Sequence, residues 1–154
     1  MKLISQIAAT VGAVSCLALV SPAMAADCAT TVESNDAMQF NVKSIAVPKS
    51  CKTFAITLKH VGKLPVAAMG HNLVIAAAND LSAVASDGIA AGLGNDYLKA
   101  GDKRVIAHTK MLGGGMSDTL QLQTDQLKAG TAYSFFCSFP GHSALMKGAL
   151  TLSN

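Results

Sequence analysis

The sequence predicts an all-β domain: an eight-stranded Greek-key sandwich or barrel with one short helix. Two patterns carry this prediction. Short runs in which apolar and polar residues alternate recur along the chain, and turn residues separate them. Only one stretch, after Asn79, breaks the alternation with partly helical spacing. The core must be mainly aliphatic, since the 154 residues include no Trp and few aromatics.

The domain begins late. Lys2 precedes an uncharged, mostly apolar run from Ile4 to Val20, and Ala23-Met24-Ala25 is a small-x-small cleavage site. Residues 1–25 therefore read as a secretory signal peptide cleaved after Ala25. The apolar run is too short, and too soon followed by polar sequence, for a membrane anchor. Cys16 is lost with the signal; a lipid anchor through it fits less well than the later Ala-x-Ala site. Residues 26–154 form a single domain, long enough for its own core. Without Lys2, 11 basic residues face 9 acidic ones, a formal +2. That balance, with no basic run, excludes nucleic acid as a partner.

Cys28 to Glu33 opens the domain with β-branched Thr30, Thr31 and Val32. Gln39 to Val47 reads as a second strand. Its apolar residues change phase between Phe40/Val42 and Ile45/Val47, which implies a bulge or a bend from one sheet to the other. Lys52 to His60 is the cleanest strand. Phe54, Ile56, Leu58 and His60 share its inner face, so His60 is expected to be a partly buried core histidine with a satisfied nitrogen rather than a ligand. Val61 to Met69, with Gly62 and Pro65, is a loop that delivers Gly70 and His71.

Asn72 to Ala77 is apolar on both faces and should be an interior strand. Asn79 or Asp80 caps a short helix running to about Ala91, and Gly92 and Gly94 end it. Val105 to Thr109 is a short strand carrying a surface His108. Gly113-Gly114-Gly115 is a turn; no Gly-Lys-Ser/Thr follows it, so it is not a phosphate loop. Asp118 to Gln123 turns Leu120 and Leu122 inward. Thr131 to Cys137 keeps Tyr133, Phe135 and Cys137 in one phase. Lys147 to Leu152 closes the domain with Leu150 and Leu152 inward.

The chemistry concentrates in Cys137-Ser-Phe-Pro-Gly-His142-Ser-Ala-Leu-Met146. Pro140 and Gly141 allow the loop to fold back so that the Cys137 sulfur and the His142 ring face one point. Met146 can approach the same point, and His71 supplies a second imidazole. Singly, a strand Cys is usually an inert small hydrophobe, a turn His is usually solvated, and a Met near a C-terminus is usually core filler. Together, one thiolate, two imidazoles and a weak thioether suit copper in both Cu(I) and Cu(II). Three cysteines remain after export, an odd number. Cys28 and Cys51 can pair in an oxidising compartment, which leaves Cys137 single.

Cys137 to Met146, with Gly70-His71-Asn72 upstream, resembles the cupredoxins, the type 1 blue copper proteins. The loop length, the stretch Asn35-Asp36-Ala37-Met38-Gln39-Phe40-Asn41 and the Cys28/Cys51 pair narrow the resemblance to the azurins, over nearly all of residues 27 to 154. The resemblance implies a cupredoxin-like fold and one copper ion held by His71, Cys137, His142 and Met146, with the Gly70 carbonyl as a weak axial ligand. It implies that the Asn72 side chain ties the two ligand loops together. A backbone N–H near Phe139 should point at the Cys137 sulfur. Leu73 stands where some azurins carry a buried Trp. An apolar patch of Met38, Leu64, Met69, Ile89, Pro140 and Leu145 should surround the edge of His142. The implied function is periplasmic electron transfer between soluble redox partners such as c-type cytochromes, nitrite reductase or periplasmic dehydrogenases, with no enzyme activity.

Three other readings compete. A thiol enzyme would use Cys137 as nucleophile and His142 as base, but no oxyanion site or third group is visible, and Met146 would be idle. A structural zinc site prefers four strong ligands, and a thioether is a poor fourth. A metal-free adhesive β-sandwich leaves the ordered Cys-His-Met spacing to chance.

Overall fold

The computed structural model describes residues 27–153. The expected signal peptide therefore lies outside the described residues. Among these, nine strands form two sheets. They are β1 (Ala29–Asn35), β2 (Gln39–Phe40), β3 (Ser44–Pro48), β4 (Thr53–His60), β5 (Val74–Ala77), β6 (Ala107–His108), β7 (Ser117–Gln123), β8 (Tyr133–Phe136) and β9 (Lys147–Ser153). One sheet has the order β2-β1-β4-β7 and the other β3-β9-β8-β5-β6. The chain thus crosses between the sheets after β2, β3, β4, β6 and β7, as a Greek-key sandwich requires, while β1–β2, β5–β6 and β8–β9 stay within one sheet.

The count exceeds eight because the stretch expected as one strand from Gln39 to Val47 is two. β2 pairs antiparallel with β1, and β3 pairs parallel with β9 in the other sheet. The break falls at the change of apolar phase. Phe40 is buried on one side of it and Ile45 and Val47 on the other, because the inner face reverses when a strand changes sheet.

β4 shows the expected alternation. Phe54, Ile56, Leu58 and His60 are buried, and the residues between them are not. Leu120, Leu122, Phe135 and Leu150 meet them between the sheets. β5 is buried on both faces for a separate reason. Val74 and Ala76 leave the main core and join Val84, Leu98 and Phe136 in a second cluster. Val84 comes from helix α2 (Leu81–Gly88), which lies over the outside of this sheet.

Helix α2 starts and ends near the expected places, with a 3-10 turn continuing to Ala91 and Gly92 following it at φ 70°. Its start differs in detail, because Asp80 makes no side-chain cap. Asp80 already has helical backbone angles, so its carboxylate does not face the first free N–H groups as an extended cap residue would. A single helical turn, α1 (Val66–Met69), also interrupts the stretch expected as loop.

The disulfide Cys28–Cys51 joins the starts of β1 and β4, across a Cα–Cα distance of 5.6 Å and 23 residues of chain. Closing a loop of this size contributes ~3 kcal/mol in the chain-entropy model. It pins the parallel β1–β4 pair, whose register begins at Ala29 and Ala55.

Candidate metal centre

Two loops carry the candidate ligands, one before β5 and one between β8 and β9. His71 precedes β5 and forms a two-way backbone bridge with Leu112, at 3.0 and 2.8 Å. Cys137 follows β8, and its N–H donates to the Met146 carbonyl at 3.0 Å. His142 opens a single 3-10 turn just after Gly141, whose φ of 83° is a left-handed conformation that favours glycine. The His142 carbonyl then accepts the N–H groups of Leu145 and Met146. These bonds hold the whole Cys137–Met146 loop as one closed unit.

The Cys137 Sγ lies 3.9 Å from His71 Nδ1 and 3.7 Å from His142 Nδ1, and the two nitrogens are 3.2 Å apart. A triangle with these sides has its centre roughly 2.1 Å from each corner, the bonding distance of a transition-metal ion to nitrogen and close to that for sulfur. The site therefore fits a metal ion without moving a ligand. All three residues are buried. The donor set is one sulfur and two imidazoles in trigonal array, the arrangement of a blue-copper centre.

Hydrogen bonds orient the rings. The Nε2 of His71 lies 2.8 Å from the Asn35 carbonyl, which can only accept, so Nε2 carries the proton and Nδ1 presents a lone pair to the centre. Burial pulls the His71 imidazole down to about 4, opposed by that same bond to Asn35. Burial also lowers His142. The Cys137 thiol is pushed up to about 11 by burial, opposed by backbone N–H groups of Asn72 and Phe139 that point at its sulfur. The metal-free site is thus neutral at pH 7, and binding a metal must displace the thiol proton.

The other residues singled out in the sequence are found around this triangle. Met146 is fully buried in the same core cluster as Cys137. The Gly70 carbonyl lies 3.8 Å from the Cys137 sulfur. The Asn72 side chain accepts the Ser138 N–H at 2.9 Å and donates to the Ser138 hydroxyl at 2.8 Å, linking the loops that carry His71 and Cys137. Phe139 supplies its N–H to the sulfur and packs its ring against His142, tilted by 32° with centroids 4.5 Å apart.

Leu64, Ile89 and Leu145 are exposed, while Met38, Met69 and Pro140 are half-buried. Ile89 and Pro140 line one groove with Phe139 and Gly141 beside the His142 loop. His60 is buried and stacks on His71, with both of its nitrogens occupied. It donates from Nε2 to the Met69 carbonyl and accepts the Gly62 N–H at Nδ1. His108 is exposed and lies outside the triangle.

Sequence reasoning missed the Asn35 carbonyl, the Asn72 N–H to sulfur, and Ser138. The first two are backbone groups, which every residue carries, so no side-chain pattern marks them. Ser138 sits between Cys137 and Phe139, and its hydroxyl was the one available signal.

The family profile described as "Copper binding proteins, plastocyanin/azurin family" matches residues 26–153. The chain is 60% identical over 129 residues to Azurin-2 of Alcaligenes xylosoxydans xylosoxydans, covering 84% of this chain and 100% of that one. It is 54% identical over 141 residues to the azurin of Pseudomonas aeruginosa, covering 91% of this chain and 95% of the relative. A solved azurin (Az-iso2) from the obligate methylotroph Methylomonas sp. strain J superposes with a TM-score of 0.81 at 43% identity, covering 84% of this chain and 100% of that one. The chain belongs to the plastocyanin/azurin family of copper-binding proteins, and it is a type 1 copper electron-transfer protein that serves redox partners and is not an enzyme.

Proposed function

We propose that the chain is an exported periplasmic carrier whose copper ion is held by His71, Cys137 and His142, with Met146 and the Gly70 carbonyl as weak ligands. The observation that carries this assignment is the triangle of one sulfur and two Nδ1 atoms, sized for a metal ion. Bound copper would supply reversible one-electron exchange between Cu(I) and Cu(II).

The chain's own residues do the rest. The two sheets and the closed 137–146 loop hold the ligands in one arrangement, which limits reorganisation when the charge changes. Burial of Cys137, His71 and Met146 excludes water. The N–H groups of Asn72 and Phe139 stabilise negative charge on the sulfur. His142 is only 4% exposed, and its loop presents exposed Leu145 and half-buried Pro140, with exposed Ile89 across the groove from Pro140. That surface suits brief contact with soluble partners such as c-type cytochromes, nitrite reductase or periplasmic dehydrogenases. Residues 1–25 direct export and are removed after Ala25.

The thiol-enzyme reading fares poorly. Cys137 is fully buried, and burial raises its pKa, whereas a nucleophilic cysteine is accessible and partly ionised.

Copper(II) added to the metal-free protein should produce an intense blue colour from sulfur-to-copper charge transfer. The Cys137→Ser variant should stay colourless. A colourless wild type, or a blue Cys137→Ser variant, overturns the ligand assignment. The intact mass of exported protein should begin at Ala26.

A further inference from the structure

The loop after helix α2 contains two consecutive non-glycine residues in the left-handed region, Asp96 at φ 54° and Tyr97 at φ 50°. Tyr has no side-chain reason to favour this conformation, so surrounding contacts must hold it. The Tyr97 N–H donates to the Gly92 carbonyl at 3.0 Å. The Tyr97 ring meets the edge of Phe139 at a centroid distance of 5.2 Å. Its carbonyl lies so close to Gly88 that any Cβ there would fall 2.0 Å from it. Helix α2 therefore docks on this loop only because residue 88 is glycine.

The strained pair aims Asp96 at both ligand loops. The Asp96 carbonyl accepts the Ser138 hydroxyl at 2.7 Å and the Asn72 amide at 3.1 Å. Ser138 follows Cys137, and Asn72 follows His71. The Asp96 carboxylate accepts the Met111 N–H at 2.7 Å. Met111 packs against Gly70, and its neighbour Leu112 bridges His71. One residue that is not a ligand thus bonds to a neighbour of Cys137 and braces His71 from two sides.

We propose that Asp96 is the positioning residue of the metal centre: its left-handed backbone and its carboxylate clamp the loops of His71 and Cys137, so that the ligand triangle is set before metal arrives. This rests on the assignment of His71, Cys137 and His142 as copper ligands. Each bond involved is made in the metal-free protein, and none needs the metal to close it.

Three variants separate the parts of the clamp. Asp96→Asn keeps an oxygen acceptor and tolerates the left-handed backbone. Asp96→Gly keeps the backbone at ease but removes the acceptor. Asp96→Ala removes the side-chain acceptor but, unlike Gly, retains a Cβ in the left-handed conformation, which Ala tolerates less well than Asp or Asn. Copper release to a chelator should be near wild type for Asp96→Asn and about tenfold faster for Asp96→Gly, as expected for losing a bond to a charged acceptor. It should be faster again for Asp96→Ala, and the blue band should shift in the same order. In the metal-free protein, hydrogen exchange at the Met111 N–H should lose protection in Asp96→Gly and keep it in Asp96→Asn.

Equal release rates and spectra in Asp96→Gly and wild type would overturn the proposal. So would an Asp96→Asn variant as impaired as Asp96→Gly. If Asp96→Ala fails to fold, the Gly and Asn pair still decides. A wild type that does not turn blue with copper would instead overturn the ligand assignment.

Discussion

His71 donates its Nε2–H to the backbone carbonyl of Asn35 across 2.8 Å, and this bond decides which ring nitrogen meets the metal. The bond joins the end of β1 to the loop before β5, in different sheets. Sandwich packing and ligand orientation are therefore the same contact.

The stability of the metal-free protein should fall in mild acid. The His71 imidazole is lowered from the ordinary 6.5 to about 4 in the folded state. Between those values the unfolded chain binds more protons than the folded one, so stability rises with pH across the window. The contribution is complete above pH 6.5 and is lost as pH falls through about 4. His142, lowered by burial, acts in the same direction. The loss should be on the order of 2–3 kcal/mol. Chemical denaturation at a series of pH values checks it, and a flat profile over this window would contradict the buried, neutral state of these rings. Copper loading should shift the loss to lower pH, because metal and protons compete for the same Nδ1 atoms.

Met146→Leu should keep the blue colour. The substitution conserves volume in a fully buried position, so the loop should close as before. Removing the thioether takes away weak donation that favours Cu(II). The reduction potential should rise by on the order of 60 mV, a tenfold shift toward Cu(I) for one electron. Voltammetry on the variant measures this, and loss of copper binding would make Met146 a primary ligand.

Ile89→Lys should slow electron self-exchange by roughly tenfold or more, because two copies meeting through this face would bring like charges together. Ile89 is 53% exposed and lines the groove beside Pro140 and Gly141, so it can be changed without disturbing the core. Met69 is a less clean probe of the same patch. It is half-buried, and its carbonyl holds His60. NMR line broadening in mixed oxidised and reduced protein reports the rate. The blue spectrum should not change. An unaltered rate would mean that electrons leave by another face.

The sequence by itself determined the sheet-forming alternation, the faces of β4, β7 and β8, and the change of sheet between Phe40 and Ile45. Each is written in side-chain polarity at period two, which is local and survives without knowledge of the fold. The Cys137–Met146 loop was legible for a similar reason, since a short spacing limits where its side chains can go. The two-sided burial of β5 was legible too, although not what covers its outer face.

Only the tertiary structure decided how residues far apart in sequence meet. Cys137 and His71 stand 66 positions apart, and their atoms come within 3.9 Å because β5 and β8 are neighbours. The proton position on His71, the two N–H groups on the sulfur and the reach of Asp96 to both ligand loops depend on backbone carbonyl and amide directions. Backbone groups are chemically alike at every residue, so the sequence cannot rank them. Their directions follow from φ and ψ, and at Tyr97 those angles are held against local preference by packing that exists only once the sandwich has formed.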